Sequence, residues 1–166
     1  DHTWGVLPFL KTLALEGREK KLTIVAPTSH KIINRLKNTK DAFSDISDLE
    51  PSNVDLCNQF RVWWSLGATK SSLNFEINWI LIGIDENDEI GKLNAILINP
   101  DENKIISIKK LTDFTNGIDI KNIPTLHSVP SCAWWIKEEN KKGKFNSELA
   151  TKNKLTNEQI KKLAKG

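Results

Sequence analysis

The amino-acid sequence predicts an α/β fold, and three observations predict it. Helical and strand-like apolar spacings alternate at short range over the first forty residues. Short β-type runs then recur, separated by turns rich in Asn, Asp and Gly. Finally, 166 residues at 39% hydrophobic and 27% charged suffice for one domain with a real core, and hardly for two.

Val6, Leu7, Leu10, Leu13 and Ala14 recur at helical spacing, Pro8 suits a first turn, and Gly17 is a C-terminal stop. "LTIVAP" (22–27) reads as a short buried strand ended by Pro27. Ser29 can cap a second helix through Ile32, Ile33 and Leu36. The polar stretch Asn38–Asn58 reads as a surface excursion. Strands are expected at "FRVWWSL" (60–66), "LNFEINWILIGID" (73–85), "NAILINP" (94–100) and "KIISIKK" (104–110), making Phe60 to Leu111 mostly strand. In the second run Phe75, Ile77 and Trp79 alternate with Glu76 and Asn78, as one buried face requires. "DENDEIG" and "NPDENK" read as hairpin-like turns, and "IPTLHSV" (123–129) as a further strand.

Charge divides the chain. Residues 139–166 hold eight lysines against three glutamates, a balance of +5, whereas the whole chain carries +3 and the remainder therefore −2. The expected organisation is a body over 1–139 and a basic arm over 140–166, in which Thr156 and Gln159 form a capping box for a short closing helix. Such an arm suits a polyanion; a lysine-rich solvated helix is the plainer alternative. No run approaches the roughly 20 apolar residues of a membrane span. Cys57 and Cys132 lack metal-site spacing and read as two buried free thiols.

Three histidines could carry chemistry. His30, at the start of a helix, is expected on the surface. His127 lies in an apolar run, where a lone histidine is more often a core residue than a ligand. Asp1-His2 is a metal-ligand pair at the first two positions of a chain that contains no Met. It reads as a motif cut in its middle, so the chain is expected to be an incomplete portion of a longer protein.

"DHTWGVLPFLKTLALEGREKKLTIVAP" resembles the ribonuclease Z branch of the metallo-β-lactamase superfamily, beginning inside its HxHxDH signature. Gly5, Leu7, Pro8 and Leu10 echo the helix that follows that signature, and Leu22, Thr23, Ile24, Ala26 and Pro27 the next strand. "LHSVPSCAWWIKEENKKGKF" is similar to a later segment of the family through His127, Val129, Pro130, Ser131, Gly143, Lys144 and Phe145, and "KKLAKG" to the end of its arm. The two stretches span roughly the first 36 and the last 45 residues; the middle is matched by position only.

The resemblance implies part of an αββα sandwich with a protruding basic arm. It implies a centre of two zinc ions roughly 3.5–4 Å apart. Asp1 and His2 would bind one ion and His127 the other, with Asp1 also a candidate proton acceptor. Three donors fall short of the roughly four that each zinc takes, so residues 1–166 alone are not expected to be active. It further implies a cytoplasmic homodimer that removes 3′ trailers from precursor tRNA, gripped by Lys141, Lys142, Lys144, Lys161, Lys162 and Lys165 through its phosphates. Two departures stand out: the family's Pro-Pro-Gly-Pro arm element is replaced by "KNKLTNEQ", and Ala133-Trp134-Trp135 stands where Gly-Tyr-x is usual. The alternatives are a phosphodiesterase of the same fold acting on small or cyclic nucleotides, and an inactive structural subunit.

Overall fold

The computed structural model describes residues 3–90, 92–138 and 146–165. Helix α1 (Val6–Leu15) ends at Glu16, with Gly17 at φ +75°, and leads into strand β1 (Leu22–Thr28). Helix α2 (His30–Thr39) follows after one residue, Ser29, whose Oγ accepts from the Ile32 N–H at 3.3 Å. A 3₁₀ turn (Ser47–Leu49), α3 (Leu56–Ser65) and the single turn α4 (Lys70–Leu73) lead to β2 (Ile77–Gly83). Then come β3 (Ala95–Asn99), β4 (Lys104–Ile108), a 3₁₀ turn (Leu111–Phe114), and the hairpin β5 (Asp119–Thr125) with β6 (Ser131–Lys137). Two short helices, α5 (Ser147–Lys152) and α6 (Asn157–Lys165), close the chain.

Four strands form a mixed sheet in the order β1-β2-β3-β4, parallel between β1 and β2 and antiparallel elsewhere. Parallel neighbours need a crossover, and residues 29–76 supply it as helices laid on one face. The opposite face receives β5–β6, a separate antiparallel pair. The result is three layers: helices, four-stranded sheet, hairpin.

β2 is the strand between the two cores. Trp79 and Leu81 point into the helical cluster with Leu10, Ile33, Leu36 and Phe60, whereas Ile80 and Ile82 join Ile108 and Leu111 on the hairpin side. A strand buried on both faces must be apolar without interruption, as "WILI" is. The aromatic centre of the helical cluster is Trp79, whose ring lies 4.9 Å from Phe60 and 5.9 Å from Trp64 between centroids.

Two sequence expectations are corrected. "FRVWWSL" is not a strand but most of α3, because burial falls on Cys57, Phe60, Trp63 and Trp64 at helical spacing and Asp55 caps the helix through the Cys57 N–H at 2.8 Å. Phe60–Leu111 is therefore not mostly strand: among its described residues the strands are Ile77–Gly83, Ala95–Asn99 and Lys104–Ile108. His127 is not inside a strand either: β5 stops at Thr125, and Leu126, 84% exposed, opens a loop that carries the histidine. The capping box formed as expected, with the Thr156 N–H donating to Gln159 Oε1 at 2.9 Å and the Gln159 N–H to Thr156 Oγ1 at 3.3 Å.

Candidate functional site

The parallel strands β1 and β2 end side by side, their last paired residues being Thr28 and Gly83. Beyond these ends opens a cleft of about 260 Å³, where Ser29, Ile84, Asp85 and Glu86 meet Thr125, Ser131 and the loop His127–Pro130. The carboxyl edge of parallel strands is where α/β folds place ligands, because several strand ends converge there with loops free to vary.

His127 stands exposed on this loop. Its Nδ1 lies 3.3 Å from Ser128 Oγ, and among the described residues its Nε2 has no partner. Asp85 faces the same cleft as a carboxylate. The Asn87 backbone N–H, donating to Oδ1 at 3.1 Å, is the main reason its pKa sits below the usual carboxylate value, with the Asn87 side chain adding to it.

Two polar networks beneath the cleft hold its walls. The Thr28 hydroxyl donates to the Asp55 carboxylate (2.9 Å to Oδ1), and both residues are buried. This bond ties the end of β1 to the start of α3. Next to it, Lys37 Nζ donates to Asn94 Oδ1 at 2.7 Å, Asn94 Nδ2 lies 2.8 Å from His30 Nδ1, and His30 Nε2 lies 2.7 Å from Asp88 Oδ2. The Asp85 N–H also donates to Asp88 Oδ2, at 2.9 Å. The chain of bonds pins the β2–β3 loop onto α2. It needs Gly83: a Cβ there would meet His30 Nδ1 at 2.6 Å.

His30 was expected at the surface; instead both its nitrogens are engaged, and it positions a loop. Nothing in its one-dimensional context signals this, since Asp88 and Asn94 come from a turn about sixty residues away. Asp55 carried a readable signal, as an Asp two residues before the period Cys57, Phe60, Trp64, which the aromatic run obscured.

The other candidates distribute as follows. Asp1 and His2 lie outside the described residues, as do Lys141, Lys142 and Lys144. Lys161 and Lys162 are exposed on α6, and Lys165 is its last residue. Among the described residues no three His, Cys, Asp or Glu side chains group to hold a metal ion. Of the expected ligands, His127 alone is described. An exposed imidazole with a free nitrogen fits zinc as one donor. Both cysteines are free; Cys57 is buried as expected, whereas Cys132 is only half-buried, and burial pushes Cys57 up to about 12 and Cys132 up to about 11, so neither is a thiolate nucleophile near neutral pH. Among the described residues no helix is long and apolar enough to cross a membrane. No family model, curated protein or solved structure matches this chain.

Proposed function

We propose that the chain contributes to a zinc-dependent phosphodiesterase of the ribonuclease Z kind, an endoribonuclease that removes 3′ trailers from precursor tRNA. The observation that carries the reading is the seat of His127, beside the ends of the two parallel strands and open to a cleft that a phosphodiester can enter. Helices on one face of a mixed sheet and a second β layer on the other support one half of an αββα sandwich. The reading requires Asp1 and His2, which lie outside the described residues, to meet His127.

In this reading His127 serves one zinc ion, Asp1 and His2 the other, and further donors complete both coordination shells. Zinc, when bound, supplies a Lewis acid that activates water and polarises the phosphodiester. Asp1 would accept the proton released in the attack. Residues 140–166 would hold distant phosphates of the tRNA, a task for lysine ammonium groups that needs no base readout. A cytoplasmic homodimer is part of the same proposal.

One observation favours a second reading. Where the family's arm carries Pro and Gly, this chain builds α5 and α6 joined by a tight turn with Lys154 at φ 52°. A differently shaped arm would suit an enzyme acting on small or cyclic nucleotides. The deciding experiment uses the full-length protein with His127→Ala. Zinc content should fall from about two ions per chain to about one, and cleavage of both precursor tRNA and bis(p-nitrophenyl) phosphate should fall about a hundredfold. The melting temperature should hold, because the side chain is exposed. Undiminished activity overturns the metal assignment. Activity on the small ester with no salt-sensitive tRNA binding selects the second reading.

A further inference from the structure

The β5–β6 hairpin has one guarded strand and one open strand. Among the described residues the two strands pair only with each other. β5 packs beside the 3₁₀ turn Leu111–Phe114 and carries Pro124, which has no N–H to offer a further strand. β6 has no such device: Ser131–Lys137 contains no proline, and its one charge, Lys137, is the last residue. Its residues from Ala133 to Lys137 are all exposed, Ile136 at 63%. Among the described residues no hydrogen bond reaches the backbone of β6 from the side away from β5. An open strand edge with apolar side chains is a template for another strand.

That edge is complementary to itself. Buried Asn122 pairs with Trp134 and exposed Lys121 with Trp135, so Cys132, Trp134 and Ile136 share the face toward the four-stranded sheet, while Ala133 and Trp135 share the outer face. A second copy of β6 laid antiparallel along the open edge, with a two-fold axis at Trp134, keeps every residue on its own face. Each large side chain then meets a small one: Trp135 stands opposite Ala133 of the second copy, Ile136 opposite Cys132, and Lys137 opposite Ser131. No two like charges oppose each other, and Trp134 meets its own equivalent on the axis. An extended peptide of another protein would satisfy the same backbone groups but would not account for this match of large to small and of charge to hydroxyl.

We infer that β6 pairs with β6 of a second copy of this chain, joining two hairpins into one antiparallel sheet in the order β5-β6-β6-β5. The pairing covers the exposed rings of Trp134 and Trp135 and satisfies the outward backbone groups of both strands at once. It rests on the proposed function only for the homodimer, to which it gives an interface. No residue proposed to bind zinc or tRNA lies in β6, so zinc content and cleavage test that reading while subunit mass tests this one.

The test measures the mass of the full-length protein by light scattering over a dilution series, and twice the chain mass is expected at micromolar concentration. Trp134→Lys sets two ammonium groups against each other on the axis and should weaken dimerisation at least about tenfold. Trp134→Glu should do the same, and an equimolar mixture of the two variants should recover the dimer. Because Trp134 is partly packed, the decision rests on Ile136→Cys at an exposed position, whose fold is checked by its melting temperature. Mild oxidation should join its new thiol to Cys132 of the second copy, giving a covalent dimer on a non-reducing gel. Within one chain the two positions are four strand residues, about 13 Å, apart and cannot form that bond. Cys132→Ser in the same variant should abolish the cross-link. A monomer at micromolar concentration overturns the inference, and slow hydrogen exchange of the β6 amides in that monomer would assign the edge to another strand of the same chain. A dimer that Ile136→Cys fails to cross-link overturns it as well.

Discussion

Asp55 caps α3 and at the same time accepts the hydroxyl of Thr28, so one buried carboxylate joins a helix start to a strand end. Burial raises its pKa above the ordinary 3.8, against the opposing pull of the Cys57 N–H, the Thr28 hydroxyl and the Arg61 charge. The folded state therefore binds this proton more tightly than the unfolded chain does. Its contribution to stability is present below pH 3.8 and is lost as the pH rises through the raised folded value. Asp55→Asn should remove that downward slope while keeping the cap, since its Oδ1 can still accept from the Cys57 N–H; urea denaturation at several pH values between 3.5 and 7 reads the difference. Asp55→Ala loses the cap and strands the Thr28 hydroxyl, and should cost about 2–4 kcal/mol. Gly83 is constrained by space. Its alanine variant drives a Cβ to 2.6 Å from His30 Nδ1 in a ring held at both nitrogens. Gly83→Ala should cost about 1–3 kcal/mol by thermal denaturation, and a neutral result would mean the loop gives way freely.

α3 is the element where the two periodicities compete. As a strand, Phe60, Val62 and Trp64 would share a buried face. As the helix observed, Phe60, Trp63 and Trp64 are buried while Val62 is 49% exposed. The two positions should therefore separate cleanly in a stability measurement. Phe60→Ala empties the centre of the aromatic cluster and should cost about 3–5 kcal/mol. Val62→Lys should stay within about 0.5 kcal/mol. Comparable losses at both would restore the strand. The aromatic and β-branched composition of "FRVWW" invites the strand reading because β propensity measures fit to a half-buried surface, and a helix packed on a sheet offers such a surface too.

At the scale of the molecule, the expected arm is represented among the described residues by α5 and α6. Among the residues of α5 and α6 whose burial is described, none belongs to either apolar cluster and Ala150 alone is buried. Removing 140–166 should shift the melting temperature by no more than about 2 °C. On the proposed function, the same deletion should weaken precursor-tRNA binding but leave hydrolysis of a small nitrophenyl ester nearly unchanged. Each lost phosphate contact should flatten the log–log salt dependence by about 0.7–0.9. Precursor-tRNA cleavage that survives the deletion untouched would make the arm a solvated tail and move the function toward small substrates.

The sequence by itself determined whatever depends on neighbours within a few residues. α1 with its Gly17 stop, the Ser29 cap on α2, the turn at "NPDENK" and the Thr156–Gln159 box were all legible, because caps, turns and periodicity are local physics. Only the tertiary structure decided the rest. It placed His127 on a loop at the ends of β1 and β2, brought His30 to Asp88 and Asn94, and set Asp55 under Thr28. These partners lie far apart in the chain, and what joins them is the crossover that sets β1 beside β2 and the packing of β5–β6 against the second face. Such pairings arise from burial summed over the whole molecule, a quantity that no window of sequence contains.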